Sequence, residues 1–193
     1  MRLPKLDPDQ MSPRQREVAD SILAARGKIG GPYQVWLNSP ELCERVESLG
    51  AYVMKESSLP QRLRELGLLM ASRASDAQYS WNAHADKALS EGLSAEVLEA
   101  VARNEEPAFD RPEDAAFYRF AHEVLTEHFV RDETFAEALA HFGAQGLVDI
   151  IGSLGNCFML GLLLNAFKVD LQADRTPPYP DIHGFERVAS ALT

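Results

Sequence analysis

The sequence predicts an all-α protein, and three observations lead to this expectation. Helix-start signals recur along the 193 residues, each a serine or aspartate placed just before a helical apolar pattern. Within each segment, apolar residues return at intervals of three and four, which is the spacing of one helix face. No run of alternating β-branched residues is long enough to indicate a sheet. About eight helices in a single compact domain are therefore expected.

The individual helices follow from their start and stop signals. Ser12 and Gln15 form a capping box around a proline, the residue that best tolerates the first helical position. Comparable start signals stand at Ser39, Ser94, Asp110 and Asp132. Gly92 and the stretch "GKIGGPY" at 27–33 end helices. The predicted helices are 13–27, 40–57, 60–75, 79–91, 94–104, 111–129, 132–143 and 144–168.

Three parts of the chain are expected to differ in organisation. Residues 1–12 form an N-terminal arm and residues 13–170 a single helical domain. Residues 171–193 are a proline-rich tail containing "ADRTPPYPDIHGF". Such a tail is expected to lie along the surface of a neighbouring subunit in an oligomer, because it has too few apolar residues to fold alone.

Composition limits the possible partners and compartment. A net charge of −10 without a basic stripe disfavours binding to a nucleic-acid backbone. The first residues, "MRLPKLDPDQ", lack the apolar core of a secretory signal. Cys43 and Cys157 form no motif, so both are interpreted as reduced thiols in a cytoplasmic protein.

The most apolar segment, 146–167, is long enough to raise the question of a membrane span. Asp149, Asn156 and Asn165 interrupt it, and polar groups are costly in lipid. We therefore expect a central or interface helix of a soluble bundle, with no membrane partner.

A carboxylate and an imidazole are the strongest candidates for chemistry. Glu65 stands in the leucine-rich run "RELGLLM", and His84 follows nineteen positions later. If the chain turns near residues 75–78, two antiparallel helices would bring these side chains together. A carboxylate bonded to one ring nitrogen fixes the tautomer and leaves the other nitrogen for proton transfer. The alternative is a core histidine that is merely satisfied by a buried glutamate.

Four neighbouring residues are further candidates. Ser80 shares a helical face with His84, and Tyr79 could donate its hydroxyl to a substrate oxygen. Arg73 could bind a substrate carboxylate through its bidentate guanidinium, and Trp81 could line the substrate site. Structural alternatives remain open, since aromatic residues at a helix start often fill a core and an arginine often makes an ion pair.

No metal or nucleotide site is expected. The spacing of His122, His128 and His141 does not place them as a ligand set, and "HEVLT" lacks the second histidine of a zincin motif. The glycine-containing stretches "GKIGG" and "GSLGN" lack the flanking elements of a phosphate-binding loop.

Residues 58–101 resemble the core of the carboxymuconolactone decarboxylase family, which includes the alkylhydroperoxidase D proteins. The peroxidase branch has a glutamate, eleven residues, Cys-x-x-Cys, three residues and a histidine. This pattern falls on Glu65 and His84, but its two cysteine positions are Ala77 and Ser80. The flanking stretches 30–53 and 150–171 resemble a longer, decarboxylase-like subgroup.

The resemblance implies a compact helical fold that assembles as trimers or hexamers, with sites near subunit contacts. It also implies a cofactor-independent lyase acting on a small lactone or related organic acid, as in aromatic-compound catabolism. In this interpretation Glu65 orients His84, His84 is the general acid/base, and Tyr79 or Ser80 stabilises an oxyanion. A disulfide-cycling peroxidase is disfavoured because it needs two thiols in that motif. It would have to use the distant Cys43 and Cys157. A non-catalytic binding protein is the third possibility.

Overall fold

The computed structural model describes residues 1–180, and over this part of the chain the only regular elements are helices. The α-helices are α1 (Pro13–Arg26), α2 (Gly31–Trp36), α3 (Pro40–Lys55), α4 (Gln61–Ala74), α5 (Gln78–Ser90), α6 (Ala95–Ala102), α7 (Pro112–Thr126) and α8 (Asp132–Ala166). A short 3₁₀ turn, Pro8–Gln10, precedes them within the predicted arm. The all-α fold class is confirmed.

Two helix starts have the predicted caps. Ser12 and Gln15 make the reciprocal capping box of α1, and the Ser94 hydroxyl accepts the Val97 N–H at the start of α6. These contacts satisfy amide groups that would otherwise lack partners at a helix start. The sequence signal was sufficient here because cap and partner are close in sequence.

The other three cap predictions were wrong. Ser39 makes no side-chain cap, and α7 begins after Arg111 without one. At α8 the cap residue is Arg131, whose backbone N–H donates to the Glu123 carboxylate at 2.8 Å. Glu123 of the preceding helix thus holds the residue before α8, and this contact across eight positions was not signalled by the predicted cap at Asp132.

The structure adds one helix to the predicted list and has the predicted break near residue 143. Residues 31–36 form the short helix α2, where the sequence indicated only a break. The two predicted helices 132–143 and 144–168 are the two arms of α8, which meet at a kink at Gly143, where the backbone is not helical. Gly143 has φ 65° and ψ 177°, a conformation that is open to glycine but strained for other residues. The predicted break is therefore present as a kink.

Helix α4 lies at the centre of the domain and packs against α5, α7 and α8. Its residues from Glu65 to Ser72 are all buried, so it has no solvent face over two turns. Leu63, Leu66 and Leu69 are fully buried in the larger of two apolar clusters. The smaller cluster joins α1, α2 and the first turns of α3 to the end of α8. Any polar group on α4 must consequently find its partner inside the protein.

Asp149 of α8 fixes the loop that leads into α4. Its carboxylate accepts the Tyr52 hydroxyl at 2.8 Å, and the backbone N–H and hydroxyl of Ser58 at 2.8 and 2.7 Å. Burial alone would raise the pKa of Asp149, but the hydrogen bonds from Ser58, Tyr52 and Ser57 outweigh it and hold the pKa below its usual value. Asp149, which interrupts the apolar segment, therefore has hydrogen-bond partners inside the domain.

The turn between α4 and α5 is packed closely against α8. Asp76 adopts a left-handed conformation with φ 52°, and Asn165 donates to the Ser75 carbonyl at 2.5 Å. Gly161 faces this turn, and a Cβ added there would overlap Ser75 Oγ. Only glycine lets α8 approach so closely, and this contact sets where α5 begins.

The arm and the described part of the tail contact the same subunit. The N-terminal ammonium lies 3.2 Å from Asp170, and Arg2 donates its backbone N–H to Phe167 O at 2.7 Å. In the tail, the carbonyls of Thr176 and Tyr179 accept side-chain hydrogen bonds from α5. Residues 171–180 thus contact their own domain, and the contact of the tail with a neighbouring subunit in an oligomer stays a prediction. Residues 181–193 of the predicted tail lie outside the described residues.

Helix α8 is long and apolar enough to cross a membrane by length and composition, with a mean hydropathy of 1.9 in its most apolar window. Half of that window is buried inside the domain. A helix with one face in a protein core passes the same test, so the soluble-bundle interpretation is the better account of this helix.

Gly161→Ala should destabilise the domain, because its new Cβ would also lie 2.8 Å from Ser75 Cβ. We expect the free energy of unfolding to fall by about 1–3 kcal/mol in urea denaturation. Gly152→Ala is the matched control, since a Cβ there meets nothing within 4 Å. The control should gain about 0.5–1 kcal/mol from the reduced backbone entropy. Equal stabilities of the two variants would contradict the close approach.

Asp149→Asn should cost about 1–3 kcal/mol of unfolding free energy at pH 7, because the new amide N–H groups would face donors. The pKa of Asp149 is lower in the folded state than in the unfolded state, where it is about 4. Its contribution to the free energy of unfolding is therefore complete above about pH 4 and is lost as the pH falls towards the folded-state pKa. The difference in unfolding free energy between wild type and Asp149→Asn should therefore be smaller in urea titrations at pH 3 than at pH 7. The exposed pair of Asp86 and Arg175 supplies the control, and Asp86→Asn should change stability by less than about 1 kcal/mol. If the difference in unfolding free energy between wild type and Asp149→Asn did not change with pH, the lowered pKa of Asp149 would be refuted.

Candidate active site at His84

Glu65 is a fully buried carboxylate with both oxygens hydrogen-bonded. Gln61, one turn earlier on α4, donates its Nε2–H to Oε1 at 2.7 Å. The Nδ1 atom of His84 lies 2.8 Å from Oε2. A carboxylate oxygen only accepts, so Nδ1 carries the hydrogen and the tautomer of the ring is fixed. The contact expected from the spacing of Glu65 and His84 is therefore present.

His84 is placed by the antiparallel packing of α5 on α4. The turn at residues 75–77 reverses the chain, as expected, and His84 lies near the middle of α5. Its side chain is 15% exposed, whereas Glu65 behind it is completely shielded. The Nε2 atom makes no hydrogen bond within residues 1–180. One ring nitrogen is thus held by the protein and the other is left for a ligand.

The His84 ring lines a cavity of about 550 Å³ between α2, α3, α5, α8 and the tail. This is the size range of small-molecule sites. Tyr33, Trp36 and Tyr79 supply aromatic walls. The indole N–H of Trp36 is buried and has no hydrogen-bond partner in the described part of the chain.

Basic side chains are concentrated at this cavity although the whole chain carries a net charge of −10. Arg26, Lys28, Lys87 and Arg175 line it, against Asp174 as its one acidic lining residue. Arg26 is paired with Glu47, and Arg175 with Asp86. Among the described residues, Lys28 and Lys87 take part in no ion pair. The cavity is therefore suited to a small anion.

Ser80 faces a buried polar cluster behind the cavity wall. Its Oγ lies 2.8 Å from Ser72 Oγ and 3.5 Å from Cys157 Sγ. Cys157 in turn donates to the Leu68 carbonyl at 3.3 Å. Ser80 thus lines the cavity with a hydroxyl already engaged inside the protein. The proximity of Cys157 could not be found from the sequence, since the two residues lie on separate helices.

Neither thiol is prepared for nucleophilic attack. Burial raises the pKa of Cys157, and it raises the pKa of Cys43 to about 11. Cys157 lines the His84 cavity, but Cys43 is fully buried in the smaller apolar cluster and does not. Reactive cysteines have lowered pKa values and partial exposure, and these two have the opposite properties.

Tyr79 is held at the edge of the cavity by its contact with α2. Its ring is so close to Gly31 that a Cβ at that glycine would lie 3.3 Å from the hydroxyl. Burial raises the pKa of Tyr79, and a hydrogen bond from the Gly31 backbone offsets part of this effect. The hydroxyl therefore keeps its proton at neutral pH and can serve as a donor.

Arg73 and Trp81 are not at the His84 cavity. Arg73 pairs with Asp76, donates to the Ala102 carbonyl at 2.8 Å and lies 4.6 Å above the Tyr179 ring. Trp81 is 4% exposed and packs edge-on against the same tyrosine. The structure thus separates these two predicted substrate-binding residues from Glu65, His84, Tyr79 and Ser80, which it brings together. The lysines and arginines that do line the cavity gave no sequence signal, because they come from different segments.

Within residues 1–180, no group of three or more His, Cys, Asp or Glu side chains could hold a metal ion. His122 stacks on Tyr118, and His141 lies beside Phe142. These two histidines are accounted for by packing against aromatic rings.

Solved structures share this fold. An alkylhydroperoxidase AhpD core from Ralstonia eutropha JMP134, described as an uncharacterized peroxidase-related protein, matches with a TM-score of 0.73 at 19% identity, over 89% of this chain and 92% of that one. A peroxidase-related protein from Silicibacter sp. TM1040 matches with a TM-score of 0.71 at 16% identity, over 90% and 91%. The debrominase Bmp8 in its apo form matches with a TM-score of 0.69 at 16% identity, over 88% and 91%.

At the level of sequence, no curated protein matches the chain. The sequence model of the carboxymuconolactone decarboxylase family matches residues 40–123, from the start of α3 to near the end of α7. Residues 40–123, which include both Glu65 and His84, thus belong to the carboxymuconolactone decarboxylase family, and the described chain has the AhpD-like fold.

Proposed function

We propose that the His84 cavity is the active site of a cofactor-independent lyase that acts on a small organic acid or lactone. The observation that supports this most directly is the Glu65–His84 pair, in which Nδ1 is bonded at 2.8 Å and Nε2 has no partner among residues 1–180 beside the cavity. A general acid/base needs this combination of a fixed tautomer and an available nitrogen. The proposal includes a cytoplasmic role in the catabolism of aromatic compounds.

The cavity offers a group for each requirement of decarboxylation. The C–C bond to the carboxylate breaks, CO₂ leaves, and the electron pair enters a dienolate that takes a proton on carbon. In the proposal Lys28 and Lys87 hold the anionic substrate, and the Tyr79 hydroxyl donates to the developing oxyanion. The Nε2 atom of His84 takes up a proton from solvent and delivers it to the carbon, and Glu65 stabilises the positively charged ring between these two steps.

Peroxide reduction is the second candidate, and it rests on Cys157. Its Sγ lies 3.5 Å from the Oγ atom of Ser80. Ser80 is the residue that stands where the peroxidase pattern has its second cysteine. Attack of a thiolate on a peroxide breaks the O–O bond and gives a sulfenic acid and an alcohol, and a second thiol must then reduce the sulfenic acid. Because the pKa of Cys157 is raised and Cys43 lies in the other cluster, we favour the lyase.

His84→Ala should lower turnover by about 10²–10⁴-fold, the usual contribution of a general acid/base. CO₂ release from 4-carboxymuconolactone and from a panel of small lactone and keto acids measures this effect. Glu65→Gln keeps the side-chain volume and should reduce kcat more than it changes KM, because it acts through His84. His122→Ala is the matched control and should leave turnover unchanged, since His122 lies outside this cavity. Full activity of folded His84→Ala would eliminate the proposal, and binding without turnover in the wild type would indicate a binding protein.

Replacing both cysteines, as Cys43→Ser with Cys157→Ala, distinguishes the two chemistries. We expect the lyase activity to fall by less than about tenfold, because neither thiol takes part, and we expect no peroxide consumption by either protein. Peroxide loss and substrate decarboxylation are assayed on the same preparations. Peroxide reduction by the wild type that disappears in the double variant would overturn the lyase assignment.

A further inference from the structure

Part of the tail crosses the mouth of the His84 cavity. We define the strap as residues 171–178, of which Gln172, Asp174 and Arg175 line the cavity. The lining residues that are exposed to solvent mark the mouth, and they are Arg26, Lys28, Ala83, Lys87, Asp174 and Arg175. Two of these residues belong to the strap. A ligand that enters the cavity through this mouth therefore passes the strap.

Buried residues hold the strap at both of its ends. Before it, Val169 is buried in the smaller apolar cluster. After it, Tyr179 is buried in the larger cluster and packs edge-on against Trp81. The Tyr179 hydroxyl also donates to the Ser72 carbonyl at 3.3 Å. The strap is thus a loop with fixed ends, and its middle can move without releasing the rest of the chain.

The middle of the strap is held to α5 by three polar contacts among residues 1–180. They are Gln172 Nε2 to Tyr79 O at 3.2 Å, Asn82 Nδ2 to Thr176 O at 3.0 Å, and the ion pair of Arg175 with Asp86. In this pair the side chains of Arg175 and Asp86 are 37% and 65% exposed. Exposed ion pairs contribute little to stability because water solvates both charges nearly as well. Water can therefore replace the contact that joins the middle of the strap to α5.

Packing around the strap is incomplete. A second cavity, of about 440 Å³, adjoins it and is lined in part by Leu171, Gln172, Ala173, Arg175 and Pro177. Gln172 and Arg175 line both cavities. The Oε1 atom of Gln172 is buried and has no hydrogen-bond partner within residues 1–180, which disfavours the closed position relative to one that water reaches. Few packing contacts and an unsatisfied acceptor are features of a segment that opens locally.

We propose that the strap is a lid on the His84 cavity, that the Arg175–Asp86 ion pair is its latch, and that ligands enter when the strap moves away from α5. The latch joins the rim of the cavity to the helix that carries His84. Closure keeps water from a bound ligand and so strengthens the electrostatic interactions made with it. The inference rests on the proposed function in taking this cavity as the active site.

A chemical bridge across the latch tests the lid. In the double variant Asp86→Cys with Arg175→Cys, a short bismaleimide would join the strap to α5, while Cys43 and Cys157 are buried away from the reagent. Modification of His84 by diethyl pyrocarbonate, a small neutral reagent, is followed by peptide mass spectrometry and reports access to the cavity. We expect the bridge to slow His84 modification by at least about tenfold, because a covered group reacts only when its cover opens.

Two controls separate closure from other effects of the bridge. His122 is exposed and lies outside the cavity, so it should react at an unchanged rate in the same samples. The same reagent joining Asp86→Cys to Ser90→Cys, one turn apart on α5, leaves the strap free and should not protect His84. Equal protection of His84 in both bridged variants, or a wild-type rate with the strap bridged, would overturn the lid.

Arg175→Ala removes the latch without adding a bridge. It should speed the modification of His84 by about two- to fivefold, the effect expected for the loss of one exposed ion pair. Arg103→Ala is the matched control, because Arg103 makes exposed pairs with Glu99 and Glu105 and should leave the rate unchanged. A rate in Arg175→Ala at or below that of the wild type would contradict the latch.

The modification of His84 is measured without substrate, so the lid and the lyase can fail separately. If no decarboxylation is found, the protection of His84 in the bridged strap still supports the lid. Where turnover is found, it should fall in the bridged protein together with the modification rate. Full turnover in a bridged protein whose His84 is protected would refute the strap as the route of ligand entry.

Discussion

The structure depends on one buried carboxylate. Glu65 lies on the most enclosed helix of the domain, and a carboxylate buried without partners would cost several kcal/mol. Gln61 and His84 supply donors to its two oxygens at 2.7 and 2.8 Å. The first donor comes from the same helix, but the second requires α5 to lie antiparallel to α4 in one register. The interaction that orients the imidazole therefore also fixes the relative position of the two central helices.

The remaining contacts of the core maintain this register. Asp149 holds the loop before α4 through Ser58, and Gly161 lets α8 pack against the turn after α4. Both residues belong to α8, so one helix fixes the two ends of α4. The long apolar helix that could be taken for a membrane span is in this view the support on which the site is built. Two of its polar interruptions, Asp149 and Asn165, make particular hydrogen bonds to the segments on either side of α4.

Sequence reasoning succeeded where the physical cause is local and failed where it is not. The helices, the turn between α4 and α5 and the Glu65–His84 contact follow from spacing along one stretch of the chain. The residue before α8, Arg131, is held by Glu123 on another helix, and the approach of Cys157 to Ser80 joins residues 77 positions apart. The basic residues of the cavity come from α1, the loop after it, α5 and the tail. Arg73 was a reasonable candidate by proximity to His84 in sequence, but its side chain points to a different part of the molecule.

The loss of the cysteine pair has a consequence for the kind of chemistry that this fold supports. In this chain the motif positions are occupied by Ala77 and Ser80, while the carboxylate and imidazole around them keep their geometry. A hydroxyl cannot cycle between thiol and disulfide, and the nearby Cys157 has a pKa raised by burial. What remains beside the cavity is an imidazole with fixed orientation, and the cavity wall includes Lys28 and Lys87 in an otherwise acidic protein. The proposed lyase relies on these properties, because proton transfer to an anionic substrate needs charge, orientation and an available nitrogen.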